Sequence, residues 1–174
     1  MKSKLSEKNI TPNMDCINLL TSILICYPEI SIISVEPEHE VVYLNYTLNK
    51  VLTENQMNAC KDFLTDSLEA YQYLENLPAQ TNEITLSVEN NFTFINIRRD
   101  VKTFSHGEIR LITNIIKEKF SDCITTDFDY VPIVDNGISQ SEMIDTMLGT
   151  IKINPVIEHM IGIRENGRVI VYNK

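Results

Sequence analysis

The sequence predicts an α+β fold. An antiparallel sheet is built from two ββα units with helices mainly on one face, plus an N-terminal helix and a C-terminal helix and β-hairpin. Three observations carry this. First, a cassette of apolar residue, Ser or Thr, two residues, Glu or Gln, and apolar residue recurs. It stands at Leu52-Thr53-Glu54-Asn55-Gln56-Met57, Phe104-Ser105-His106-Gly107-Glu108-Ile109 and Ile138-Ser139-Gln140-Ser141-Glu142-Met143. Each copy reads as a helix start with a capping box and a hydrophobic staple. Second, a pair of β-like runs precedes each of the first two cassettes. Third, the run Ile161 to Tyr172 places two β segments around Asn166-Gly167, the dipeptide that most strongly signals a hairpin.

Residues 1–10 are expected to form a disordered tail and 11–174 one domain, in three parts: 11–76, 83–120 and 139–174. Thr11-Pro12 opens a helix that runs to about Cys26, since proline suits the first helical position, and Ile17, Leu20 and Leu24 line its apolar side. Tyr27-Pro28 ends it, because the residue before proline is pushed out of the α region. Ile30 to Val35 and Val41 to Leu48 follow as strands. In the second, Val42, Leu44, Tyr46 and Leu48 alternate with Tyr43, Asn45 and Thr47, the period of a half-buried strand.

From Thr53, the stripe Met57, Cys60, Leu64, Leu68 and Tyr71 marks one helix face as core. Ile84, Leu86 and Val88 alternate with Thr85, Ser87 and Glu89, and a turn at Glu89-Asn90-Asn91 leads to a strand from Phe92 to Ile97. That strand is apolar on both sides, with Phe92 and Phe94 on one and Ile95 and Ile97 on the other, so its second face is expected to be partly covered. The next helix carries Ile109, Ile112, Ile116 and Phe120. Residues 121–138 form an acidic loop with Asp122, Asp127, Asp129 and Asp135, closing on the turn dipeptide Asn136-Gly137. The third cassette starts a helix with Met143, Met147, Leu148 and Ile151 on its apolar side, which stops before Asn154-Pro155.

Function classes are narrowed mainly by exclusion. The 174 residues suit one core that buries roughly 70% of the unfolded surface. No apolar run is long enough for a membrane span, and the polar start Met1 to Lys8 carries no signal-type apolar segment. Cys16, Cys26, Cys60 and Cys123 are dispersed without C-x-x-C spacing, so reduced thiols and a cytoplasmic location are expected. A net charge of −9 argues against nucleic acid and anionic membrane as partners. The abundance of Ile, Asn and Lys suggests an AT-rich, bacterial genome. Five glycines and their neighbours make no nucleotide-binding loop or nucleophile elbow, and His39, His106 and His159 stand at no metal spacing. Neither a cofactor nor a metal is expected, and the Asp127 to Asp135 stretch lacks the register of a calcium loop.

Charge is unevenly spread. Residues 98–119 hold 6 basic against 3 acidic residues, whereas residues 1–97 are net −8 and 120–174 net −4. Arg98, Arg99 and Lys102 precede the Ser105 cap, His106 and Gly107 fall in the first helical turn, and Arg110 follows. A helix start with such company is the expected anion-binding site, for a small anionic ligand or an acidic protein. The leading expectation is a non-catalytic interaction or regulatory protein that forms a homodimer, because both the Phe92 to Ile97 and Val169 to Tyr172 strands are apolar on two faces. A small-molecule or anion sensor built on the basic segment is the alternative.

Overall fold

The computed structural model describes residues 7–126 and 139–174. The elements run α1 (Glu7–Cys26), β1 (Ile30–Glu36), β2 (Val41–Leu48), α2 (Glu54–Leu74), β3 (Asn82–Glu89), β4 (Phe92–Asp100), α3 (His106–Phe120), α4 (Gln140–Ile153), β5 (Met160–Glu165) and β6 (Arg168–Asn173). The six strands make one antiparallel sheet in the order β3-β4-β2-β1-β5-β6. The fold class is therefore α+β, with the C-terminal hairpin joined to the main sheet through β1 and β5.

Local chemistry places most of these elements. Thr53 and Ser139 each complete a capping box, with Gln56 and Glu142 reaching back to the cap amide. Asn90 and Asn91 both take positive φ at the β3–β4 turn, as do Asn166 and Gly167 at the β5–β6 turn, the pattern of two-residue hairpins that match strand twist. Helix α1 starts at Glu7, upstream of the expected Thr11. Pro12 thus falls inside the helix, where it cannot donate the backbone bond that would run to the Lys8 carbonyl. The expected tail thus begins its helix early, and residues 1–6 lie outside the described residues. So do Asp127, Asp129, Asp135 and the Asn136-Gly137 turn.

One difference matters for the site. Strand β4 continues past Ile97 to Asp100, because it is paired on both sides: Arg99 lies opposite Val42 of β2 and opposite Asn82 of β3. Arg98 and Arg99 are thus interior strand residues, and the period of two sends them to opposite faces of the sheet.

The helices bury one face. Val42, Leu44, Tyr46, Leu48, Ile95 and Ile97 point into a core shared with Leu20, Leu24, Leu64, Leu68, Ile112 and Ile116. Tyr46 carries its hydroxyl into this core and meets the Thr113 hydroxyl of α3 at 2.9 Å, which satisfies a buried polar group. Helix α1 lies so close over β5 that a Cβ on Gly162 would stand 2.9 Å from Leu24 Cδ1. The opposite face is uncovered by the described elements. Asn45 bonds Asn96 across it at 2.7 Å, and Phe92 and Phe94 sit there with ring centroids 6.5 Å apart.

Candidate functional site

The basic segment that the sequence marks out is distributed by the fold into separate surroundings. Arg98 stands on the uncovered face, in line with Tyr43 and Glu83. Its Nη1 is 3.1 Å from both Glu83 carboxylate oxygens and its Nε 3.1 Å from the Tyr43 hydroxyl. Arg99 points the other way and its side chain has no accessible surface. All five of its N–H groups find acceptors. Nε and Nη2 donate to the two oxygens of Glu108 at 3.2 and 2.9 Å. Nη2 also donates to Thr103 Oγ1 at 3.0 Å, while Nη1 donates to Asp100 Oδ1 at 2.6 Å and to the Thr81 carbonyl. A cation so enclosed has no donor left for an external anion.

The two acids around Arg99 are held as firmly. Asp100 accepts the amides of Gln80 and Thr81 on Oδ1 and the amide and hydroxyl of Thr103 on Oδ2. Burial alone would raise its carboxyl, but the Thr103 and Thr81 bonds and the Arg99 guanidinium outweigh it and bring the pKa down to about 2. Glu108 accepts in addition from Gln72 Nε2 at 2.9 Å. It is therefore drawn away from the Ser105 amide: Ser105 caps α3 through its own oxygen, with the Glu108 N–H 3.3 Å away, and the reciprocal half of the capping box expected at this cassette is missing.

The first turn of α3 is covered. Tyr71 of α2 reaches Ser105 Oγ at 3.3 Å, and its ring lies where a Cβ on Gly107 would go. His106 is buried between three helical elements. Its Nε2 is 2.5 Å from the Tyr27 hydroxyl at the end of α1, while Nδ1 faces Asp145 at 3.4 Å and Ser141 at 3.5 Å on α4. Burial pushes the Tyr27 phenol up to about 12 against the opposing pull of Arg110, so its hydroxyl stays protonated beside the His106 ring. Lys102 is exposed and lines a separate cleft of about 290 Å³ with Lys152, Glu36 and Glu40; Arg110 is exposed. Arg98, Arg99, Lys102, Ser105, His106, Gly107 and Arg110 therefore do not converge on one pocket. Strand alternation sends Arg98 and Arg99 to opposite faces of the sheet, and Tyr71 covers the first turn of α3.

A cleft of about 540 Å³ that sequence reasoning missed lies beside Tyr27, lined by Cys26, Glu29, Thr113, Lys117 and Gln140. Its groups come from four stretches of chain, and no local motif announces them. Cys26 donates its thiol to Gln140 Oε1 at 3.0 Å, and the buried Glu29 pairs with Lys117 at 2.9 Å. Burial raises the Cys26 thiol pKa, which keeps it protonated and a poor nucleophile. Among the described residues no group of three His, Cys, Asp or Glu side chains is arranged to hold a metal.

The uncovered sheet face is the other distinctive surface. Across β2, β3 and β4 it is largely polar, carrying Glu83, Thr85, Ser87, Asn45, Asn96 and Arg98, with Phe92 and Phe94 at one end. At the β1, β5 and β6 end it turns apolar. Ile32, Ile170 and Tyr172 are 42%, 41% and 43% exposed, and Ile161 lies opposite Tyr172 and Ile163 opposite Ile170 in the ladder. No described helix is long and apolar enough to cross a membrane. No protein-family model, curated protein or solved structure matches the chain.

Proposed function

We propose that this chain is a non-catalytic interaction module that works as a homodimer, with the β1, β5 and β6 end of the sheet as its contact surface. The observation that carries this is the apolar strip of Ile32, Ile161, Ile163, Ile170 and Tyr172, which runs out to a sheet edge. An exposed apolar strip beside an unpaired strand is a liability in a monomer and a contact in an assembly. The chemistry elsewhere supports the same reading: the buried polar cluster around Arg99 is internally satisfied, and burial raises the Cys26 thiol pKa.

Sedimentation velocity at micromolar concentration tests it. The account expects a species of twice the 20.0 kDa chain mass, and expects Ile170→Lys to return it to the monomer. A single 20 kDa species at every concentration would remove the proposal.

A further inference from the structure

The two edges of the sheet differ in a way that specifies how a second copy binds. At one edge, β3 carries Glu83 and Glu89 on the uncovered face. If β3 paired along its full length with a copy of itself about Leu86, Glu83 would stand opposite Glu89 at both ends, and like charges directly opposite disfavour a ladder. At the other edge, β6 reads Arg168-Val169-Ile170-Val171-Tyr172-Asn173. It has no proline and no bulge, and its one charged residue, Arg168, stands at its first position, so the stretch from Val169 to Tyr172 lacks the devices by which edge strands are normally blunted.

Resting on the homodimer reading above, we infer that β6 pairs antiparallel with β6 of a second copy about a two-fold axis through Ile170. The axis stands normal to the sheet, so two six-stranded sheets become one of twelve strands. The register follows from strand geometry. Residues directly opposite in an antiparallel pair must point to the same face, which leaves only axes that pass through a residue rather than between two. In β6, Val169 and Val171 face the helices, opposite Arg164 and Gly162, whereas Ile170 and Tyr172 face the uncovered side, opposite Ile163 and Ile161.

Two central axes remain. An axis through Val171 would set Arg168 against Lys174 of the second copy and Val169 against its Asn173, a like-charge pair and an apolar-polar mismatch. An axis through Ile170 sets Ile170 against itself, Val169 against Val171, and the Arg168 guanidinium against the Tyr172 ring. Every cross-strand pair within Arg168–Tyr172 is then apolar or a cation on an aromatic. This arrangement also keeps both uncovered faces on the same side, so the strips from Ile32 to Tyr172 of the two copies join across the axis into one continuous surface.

Site-directed cross-linking tests this on the full chain with Cys26 and Cys123, the two partly exposed thiols, replaced by Ser. Ile170→Cys brings two thiols to directly opposite positions, where Cα atoms stand about 4.5 to 5.5 Å apart, within disulfide range. Mild oxidation is expected to convert most of this variant to a covalent dimer. Val171→Cys on the same strand and Ser87→Cys on the β3 edge should cross-link at least tenfold less. Preferential cross-linking of Val171→Cys, or equal cross-linking of all three, overturns the register. If the uncross-linked protein sediments as a dimer but Ile170→Cys stays uncoupled, the edge pairing fails while the homodimer reading stands. If it sediments only as a monomer, both fail.

Discussion

Arg99 and Glu108, nine residues apart in the chain, meet as a two-point ion pair with no solvent-accessible surface on either side chain. One arginine from a central strand thereby locks the start of α3 onto the sheet, and through Asp100 it also fixes the Gln80-Thr81 connector that enters β3.

Breaking this pair from one side should be costly. Arg99→Met leaves Glu108 and Asp100 buried without their cation, and the expected loss is about 3 to 5 kcal/mol by urea denaturation. Arg99→Met combined with Glu108→Leu removes the uncompensated charge on Glu108 along with its partner and should recover a large part of that loss. A single Arg99→Met variant as stable as the parent would mean that the pair contributes no order to this region.

Asp100 makes stability depend on pH with a definite sign. Its carboxyl pKa is lowered from 3.8 to about 2 in the folded chain, so its contribution is fully present above about pH 4 and is lost as pH falls toward 2. A shift of this size corresponds to roughly 2 kcal/mol. Stability measured between pH 5 and pH 2 should therefore fall less steeply in Asp100→Asn than in the parent. Parallel curves would contradict the assignment.

The three cap residues give a graded expectation. Thr53→Ala and Ser139→Ala should each cost about 1 kcal/mol. Ser105→Ala should cost at least as much, because Ser105 Oγ also meets the Tyr71 hydroxyl in a part-buried contact. Chemical denaturation of the three variants, side by side, checks both the size and the order.

What the sequence made legible was local. The alternation of Val42, Leu44, Tyr46 and Leu48 identified a buried strand face, the cassettes at Thr53 and Ser139 marked helix starts, and Asn166-Gly167 marked the hairpin; these signals act over a few residues and survive in the fold. Sheet order was not legible, since nothing local tells β1 that it will pair with β5 from more than a hundred residues later. The same limit applies to the surroundings of the basic segment. Arg98, Arg99 and Arg110 cluster in sequence, yet pairing on both flanks of β4 turns one arginine outward and buries the next, and Glu108 looks like a capping residue until Arg99 claims it. The surroundings of His106 were equally hidden, because Tyr27, Ser141 and Asp145 approach it from helices far away in the chain. The two-faced apolar character of the Val169 to Tyr172 run was visible in advance, and its place at the sheet edge is what turns it into a surface.

Hydrogen exchange measured as a function of protein concentration tests the central claim most directly, because it compares the two sheet edges within one molecule. Pairing through β6 predicts that amides of Arg168–Asn173 become progressively protected as concentration rises through the micromolar range, while those of the β3 edge, Asn82–Glu89, exchange at rates independent of concentration. Equal, concentration-independent exchange at both edges, or protection that grows at β3 instead, would contradict the account.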